Sequence, residues 1–331
     1  MCLSGTLCPL IFMLNFKIKV SREANFFHLL SLMTQWTPFF KEEGKYWAKS
    51  VGPLSSIQGR TLEKLGTLLK KCDFGRNYLG QYFFNPQIES PWFSLKENFT
   101  PEEFQTVKES FDLFNPALND IWERKKPYFT EWQKVLGDEL KESVYEGIID
   151  KLSQFFGQKL KPHGVYVYLL LSAGLDDLAG TDLSDCIPNG QKVISITGTY
   201  PNPTQKNGTD LITVLLHEVL HAEFQNSVEK LAADYLESID SKSSQYQNLQ
   251  KHARQENLEI EGLIAEILFQ HLLPDGYIAQ KHFGYQPTPG DYSDWRRQVI
   301  TEGTVFVGHA LESGKALNQD FLKVLLAKTM V

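Results

Sequence analysis

The chain has 331 residues, of which 42% are hydrophobic, 12% aromatic and 22% charged. Disordered chains are poor in aromatic residues and rich in charge, so this composition predicts a folded protein with one large domain or two ordinary ones. The net charge is −7 and there is no basic block, which argues against binding nucleic acid through its phosphates. No apolar run reaches the roughly 18 residues that a membrane-spanning helix needs.

The cysteines and the N-terminus bear on the cellular compartment. The cysteines are Cys2, Cys8, Cys72 and Cys186. They are widely scattered and form no Cys-x-x-Cys pair, so neither a disulfide framework nor a zinc finger is indicated. Residues 1–13 lack both the basic start and the small-residue cleavage site of a secretory signal. We therefore expect reduced cysteines, favour the cytoplasm over secretion, and treat residues 1–12 as a disordered tail.

The first 160 residues carry mainly helical patterns. Residues 14–20 alternate apolar and polar side chains, which predicts a strand, whereas residues 25–36 and 57–72 have the apolar spacing of helices. We find no catalytic motif in this half.

A further helix is predicted to begin at Thr100. The sequence Thr100-Pro-Glu-Glu103 is a capping box with proline at the first helical position. Pro116 and Pro127 predict interruptions that divide the following segment into several helices, because proline removes a helical hydrogen bond.

The pattern changes after residue 160, where we place a domain boundary between 1–160 and 161–331. Residues 165–171 and 193–197 are rich in strand-forming side chains and predict two strands. Residues 172–190 carry several aspartates without the spacing of an EF-hand, so we predict a solvated loop, with a calcium site as the alternative. We place the strand 193–197 at a sheet edge, where an extended peptide could pair with it.

One motif carries catalytic chemistry. His217-Glu218-Val-Leu-His221 lies in an apolar run that predicts a buried helix. His217 and His221 are one helical turn apart, so both imidazoles project from the same face and can bind one zinc ion. Glu218 lies beside that face, where it can act as a general base toward water. The alternative is a core helix whose two histidines make ordinary hydrogen bonds.

A catalytic zinc site also needs a third protein ligand. Around these motifs the sequence resembles the gluzincin zinc metallopeptidases, in which a downstream helix supplies a glutamate ligand. Glu261-Gly262 followed by Ala265 matches that pattern best, so the resemblance implies Glu261 as the third ligand, with Glu259 and Glu266 as alternatives. Thermolysin-like members place an aspartate at the position of Ala265 to orient a histidine, so here that partner must come from elsewhere.

The resemblance covers residues 165–275, which are also similar to bacterial metallopeptidase-like domains of unassigned function. It implies an α+β, predominantly helical protein in which residues 161–331 form a zincin-like unit, with a small sheet packed on the motif helix. The implied activity is zinc-dependent hydrolysis of a peptide or protein, with Glu218 as the base. Candidates for the side chain that stabilises the oxyanion are Tyr277, Tyr285, Tyr292, His282 and His309.

Two other functions fit the same residues. One is a non-catalytic zincin-like scaffold that keeps the zinc site, and the other is a metal-dependent hydrolase of non-peptide amides. The presence of Glu218 disfavours the scaffold, because metal binding alone does not need that carboxylate.

Overall fold

The computed structural model describes residues 14–36, 41–72, 78–140, 143–160, 163–173, 180–187, 190–198, 207–256, 258–273, 276–283 and 294–329. Within these ranges most residues are helical, and the strands form one small mixed sheet. The predicted class, α+β and predominantly helical, is confirmed at this level.

The sheet has the strand order β1-β2-β4-β3, with β1 at Asn15–Lys19, β2 at Gly164–Leu171, β3 at Gly180–Asp182 and β4 at Lys192–Gly198. The first three strands in this order are parallel, and β3 runs antiparallel to β4. The three predicted strands are thus confirmed. β3 lies within the segment that we expected to be a solvated loop, so that prediction is wrong for these three residues.

The position of β4 corrects the edge-strand prediction. Ile194 is paired with Val167 of β2 on one side and with Asp182 of β3 on the other. Because β4 is paired with β2 along one edge and, at Ile194–Ile196, with β3 along the other, the middle of the segment 193–197 has no free edge for an incoming peptide. The prediction of an edge strand there is therefore wrong, and the peptide-pairing role assigned to it is withdrawn.

The helices follow in chain order. They are α1 (Arg22–Thr34), α2 (Lys41–Ser50), α3 (Ser56–Cys72), α4 (Gln81–Phe84), α5 (Pro91–Asn98), α6 (Pro101–Glu139), α7 (Ser143–Phe155), α8 (Asn207–Glu237), α9 (Ser244–Glu256), α10 (Ile260–Gln270), α11 (Tyr277–Phe283), α12 (Asp294–Glu312) and α13 (Gln319–Thr329). The predicted helices at 25–36 and 57–72 correspond to α1 and α3.

Helix α6 begins at the predicted capping box but does not end at its prolines. The Thr100 hydroxyl accepts from the Glu103 amide, and the Glu103 carboxylate accepts from the Thr100 amide. The helix then continues through Pro116 and Pro127, so the predicted interruptions are wrong. Each proline removes one backbone donor, and burial of the apolar face that includes Phe114 and Leu118 outweighs that loss.

A continuous apolar core runs from Ala24 in α1 to Leu325 in α13 and contains the inner residues of the sheet. A smaller cluster, which includes Tyr235, Leu249 and Leu263, joins α8 to α9, α10 and α13. Helix α8 packs on the sheet with one face and on α10 with another, which fixes the position of the His-Glu-x-x-His motif. Among the described helices, none has the length and apolar character needed to cross a membrane.

Candidate metal centre

Helix α8 carries the motif into the interior. Leu215, Leu216, Val219 and Leu220 are at most 1% exposed, so the motif is surrounded by apolar packing. His217 and Glu218 are among the few buried polar residues of this helix. Buried polar side chains need partners, and so the contacts of these two decide what the site can do.

The two histidines converge as predicted. Their Nε2 atoms are 3.0 Å apart, and the rings meet nearly at a right angle. The Nδ1 atom of His217 lies 2.9 Å from the carbonyl oxygen of Leu273, and that of His221 lies 2.8 Å from Oε1 of Gln225. Both oxygens are acceptors, so each Nδ1 carries a hydrogen and each Nε2 of a neutral ring presents a lone pair to the same point.

The third group at this point is Glu266, not Glu261. Oε2 of Glu266 lies 3.2 Å from Nε2 of His221 and 3.9 Å from Nε2 of His217. Among the described residues, His217, His221 and Glu266 form the one set of three side chains that could hold a metal ion. The structure thus brings Glu266, one of the two alternatives to Glu261, next to the two histidines.

The geometry of α10 explains why Glu266, and not Glu261, lies beside the two histidines. Five residues span about 1.4 turns, so Glu261 and Glu266 project roughly 140° apart around the helix axis. Glu259 is the exposed N-cap residue of α10, and Glu261 lies in its first turn. Acidic residues at these positions interact favourably with the helix dipole, which accounts for both without a metal.

The positions of the three donor atoms fit a bound metal ion. Bonds of about 2.1 Å in tetrahedral geometry place neighbouring ligand atoms roughly 3.4 Å apart. The three observed separations, 3.0, 3.2 and 3.9 Å, bracket that value. Two imidazole nitrogens and one carboxylate oxygen form a ligand set that leaves a fourth position for water or substrate.

Glu218 lies beside this set and contacts the short strand β3. The backbone amide of Asp182 donates a hydrogen bond to its carboxylate. A Cβ atom at Gly180 would lie 2.5 Å from Cγ of Glu218, so only glycine permits this approach. Burial raises the pKa of Glu218 to about 7, and the nearby charge of His221 opposes part of that rise.

Among the three candidate ligands, the charges of Glu266 and the histidines stabilise one another. Burial alone would lower the pKa of His221, but its hydrogen bond with Glu266 and the charge of that carboxylate raise it to about 9. Burial would likewise raise the pKa of Glu266, and the hydrogen bond and charges of the two histidines instead hold it well below its usual range. A site that attracts a proton in this way also attracts a metal cation.

Of the five candidates for the oxyanion-stabilising side chain, the structure describes Tyr277, His282 and His309. The hydroxyl of Tyr277 accepts from Nζ of Lys281, and His309 is exposed. His282 lies near the charges of Lys151, Lys281 and Glu312. Tyr285 and Tyr292 lie outside the described residues.

Sequence reasoning missed Gly180 and Asp182, which hold Glu218. The many aspartates in residues 172–190 favoured a loop in the sequence analysis. Strand β3, with three residues, is too short to show an alternating pattern. Gln225 was missed as well, although its place one turn after His221 is a usable signal.

Comparisons with known protein-family models, curated proteins and solved structures found no match to this chain.

Proposed function

We propose that the protein is a zinc-dependent hydrolase that cleaves peptide bonds, with His217, His221 and Glu266 as the metal ligands and Glu218 as the general base. The observation that carries this proposal is the convergence of three ligand atoms within 4 Å of one another beside a second, buried carboxylate, that of Glu218. The resemblance to gluzincins supports it, with Glu266 replacing Glu261 as the third ligand.

The residues divide the chemistry among them. A zinc ion held by the three ligands supplies a Lewis acid that polarises carbonyls and acidifies water. Glu218 takes the proton from the attacking water and later delivers it to the leaving amine. Its pKa of about 7 in the absence of a metal suits a group that must both accept and release a proton near neutral pH.

Strand β3 is the better candidate for holding an extended substrate. It pairs with β4 along one edge, and it is the terminal strand of the sheet within the described residues. Gly180 and Asp182 of this strand contact Glu218, so a peptide bound along β3 would run past the base. Strand β3, and not β4, is thus the proposed site of backbone pairing with a peptide.

The test is a paired measurement of metal content and cleavage. The purified protein should contain or take up about one zinc per chain, and it should cleave peptides from a mixed library. A chelator should stop cleavage, and added zinc should restore it. Zinc binding without cleavage would support the scaffold, and cleavage of simple amides alone would support the non-peptide hydrolase. A protein that binds no metal would contradict all three metal-dependent functions.

A further inference from the structure

A row of polar side chains continues beyond the ligands along α8. His217, His221, Gln225 and Glu229 lie at every fourth position, so they follow one another along one face of the helix. Oε1 of Gln225 accepts from Nδ1 of His221 at 2.8 Å, and Nε2 of Gln225 donates to Oε1 of Glu229. The metal ligand is thus connected to a carboxylate through one amide.

Glu229 sets the direction of the hydrogen bonds that link it through Gln225 to His221. A carboxylate can only accept hydrogen bonds, whereas the side-chain amide of Gln225 can present either its oxygen or its nitrogen to a neighbour. Glu229 therefore holds the nitrogen of the amide on its own side. The amide oxygen must then face His221, which places the ring hydrogen on Nδ1 and leaves Nε2 free to bind a metal.

Glu229 lies beside the first turn of α10. A Cβ atom at Gly262 would lie 3.6 Å from Oε1 of Glu229, so the carboxylate is close to the backbone of that turn. The positive end of the helix dipole favours a negative charge at this position. Glu229 is partly buried and is not one of the three candidate ligands. Its carboxylate instead orients the side-chain amide of Gln225, which donates to it.

We infer that Glu229 is a positioning residue that acts through Gln225 to fix the metal-binding tautomer of His221. The inference rests on the proposed metal site. With Glu266 as the third ligand, the residue one helical turn later on α10 is Gln270, and its amide donates to Glu266 and not to a histidine. The partner of His221 comes instead from Gln225 and, through it, Glu229. The carboxylate here comes from the same helix as the histidine.

The expected effect is a loss of zinc affinity when the carboxylate is removed. Loss of such an outer partner typically weakens metal binding by about 10- to 100-fold. Glu229→Ala should therefore bind zinc at least about tenfold more weakly than the parent in competition with a chromogenic chelator. Glu237→Ala is the matched control, because Glu237 is exposed two turns further along the same helix and should leave zinc affinity unchanged.

A second background separates orientation from general damage to the helix. In Gln225→Glu, a carboxylate faces His221 directly and fixes the hydrogen on Nδ1 without help. Adding Glu229→Ala to this variant should then cost less than twofold in zinc affinity. A loss of the same size in both backgrounds, or a loss below twofold for Glu229→Ala alone, would overturn the inference.

The test of Glu229 can fail or succeed independently of the test of hydrolase activity. Zinc affinity is read without any cleavage assay, so an inactive protein that binds zinc still tests the inference. If the parent binds no zinc, the proposed function fails, and the hydrogen bond from Nδ1 of His221 to Gln225 is read instead by NMR of the metal-free protein near neutral pH, where the ring carries hydrogens on both nitrogens. The Nδ1 hydrogen should exchange slowly with water in the parent and at least about tenfold faster in Glu229→Ala. Equal exchange rates in the parent and the variant would contradict the inference.

Discussion

Two carboxylates next to His221 are both largely shielded from water, yet they hold their protons very differently. Glu266 is kept ionised by the two imidazoles, as a ligand must be, whereas burial brings the pKa of Glu218 to about 7. A bound dication would lower the pKa of Glu218 and so keep it ready to accept a proton. The different surroundings of these two residues suit the roles proposed for them, Glu266 as metal ligand and Glu218 as base.

Replacement of Glu218 by glutamine should separate catalysis from metal binding. The amide keeps the shape of the side chain and leaves all three ligands in place, but it cannot take a proton from water. Glu218→Gln should bind zinc within about twofold of the parent, while kcat falls by about 10²–10⁴-fold. Metal analysis and peptide cleavage on one preparation check this, and retained cleavage would remove Glu218 from the mechanism.

Glu266 and Glu261 offer a matched pair on one helix. Glu266→Ala removes a ligand and should weaken zinc binding by well over tenfold, with cleavage lost at ordinary zinc concentrations. Glu261→Ala, five residues earlier in the first turn of α10, should leave zinc affinity unchanged. Chelator competition on the two variants decides between them, and the opposite ranking would return the third position to Glu261.

The sequence contained a signal for Glu266 that the family pattern concealed. Glu266 is the one charged residue in the otherwise apolar run 263–269, and a charge among buried apolar side chains is more informative than one near a helix terminus. The convergence of the two histidines beside Glu218 could be predicted, because their spacing alone defines a helical face. The glutamate that joins them could not, because its identity depends on how α10 is rotated against α8.

At the scale of elements, β3 is a strand that the residue pattern does not predict. It has three residues, and its contact with Glu218 depends on the missing side chain of Gly180. Strands β1, β2 and β4 were predictable because each carries a longer run of strand-forming residues. Their order was not, because pairing partners are chosen by tertiary packing, and this is why β4 was wrongly placed at an edge.

A methyl group at Gly180 should displace the base without disturbing the metal. The added Cβ would lie 2.5 Å from Cγ and 2.9 Å from Oε1 of Glu218, so that side chain must move. A misplacement of about 1 Å can cost roughly 100-fold in rate. Gly180→Ala should therefore lose about 10- to 100-fold in kcat/KM with zinc affinity unchanged.

The matched control for this substitution is Gly59→Ala in α3, where an added Cβ meets no atom within 4 Å. It should leave both cleavage and zinc binding as in the parent. If Gly180→Ala were as active as Gly59→Ala, contact with β3 would have no part in positioning Glu218.

At the scale of the whole molecule, buried neutral histidines make stability depend on pH. His271 is fully buried, and neither ring nitrogen has a hydrogen-bond partner in the described part of the chain. Burial lowers its pKa to about 3, and burial likewise lowers that of His28 to about 4. Between these values and the usual 6.5, the unfolded chain binds protons that the folded chain excludes.

Acid should therefore destabilise the protein in part through His271. Its contribution is complete above about pH 6.5 and is lost as the pH falls toward 3, at up to about 1.4 kcal/mol per pH unit. His271→Leu removes this titration, so the free energy of unfolding should fall less steeply between pH 6.5 and 5.5 than in the parent. Urea denaturation of both metal-free proteins gives the two slopes, and equal slopes would show that His271 is protonated in the folded state.

The pairing of β1 with β2 constrains the order of folding. Lys17 and Tyr166 are register partners although they are 149 positions apart in the chain. Contacts between such distant segments form slowly, because a long loop must close before any pairing energy is gained. During synthesis on the ribosome, β1 emerges early and has to wait for β2, while helices α1 to α7 can already form from local contacts. The sheet that supports the candidate site thus forms only after β2 to β4, residues 164–198, have been synthesised.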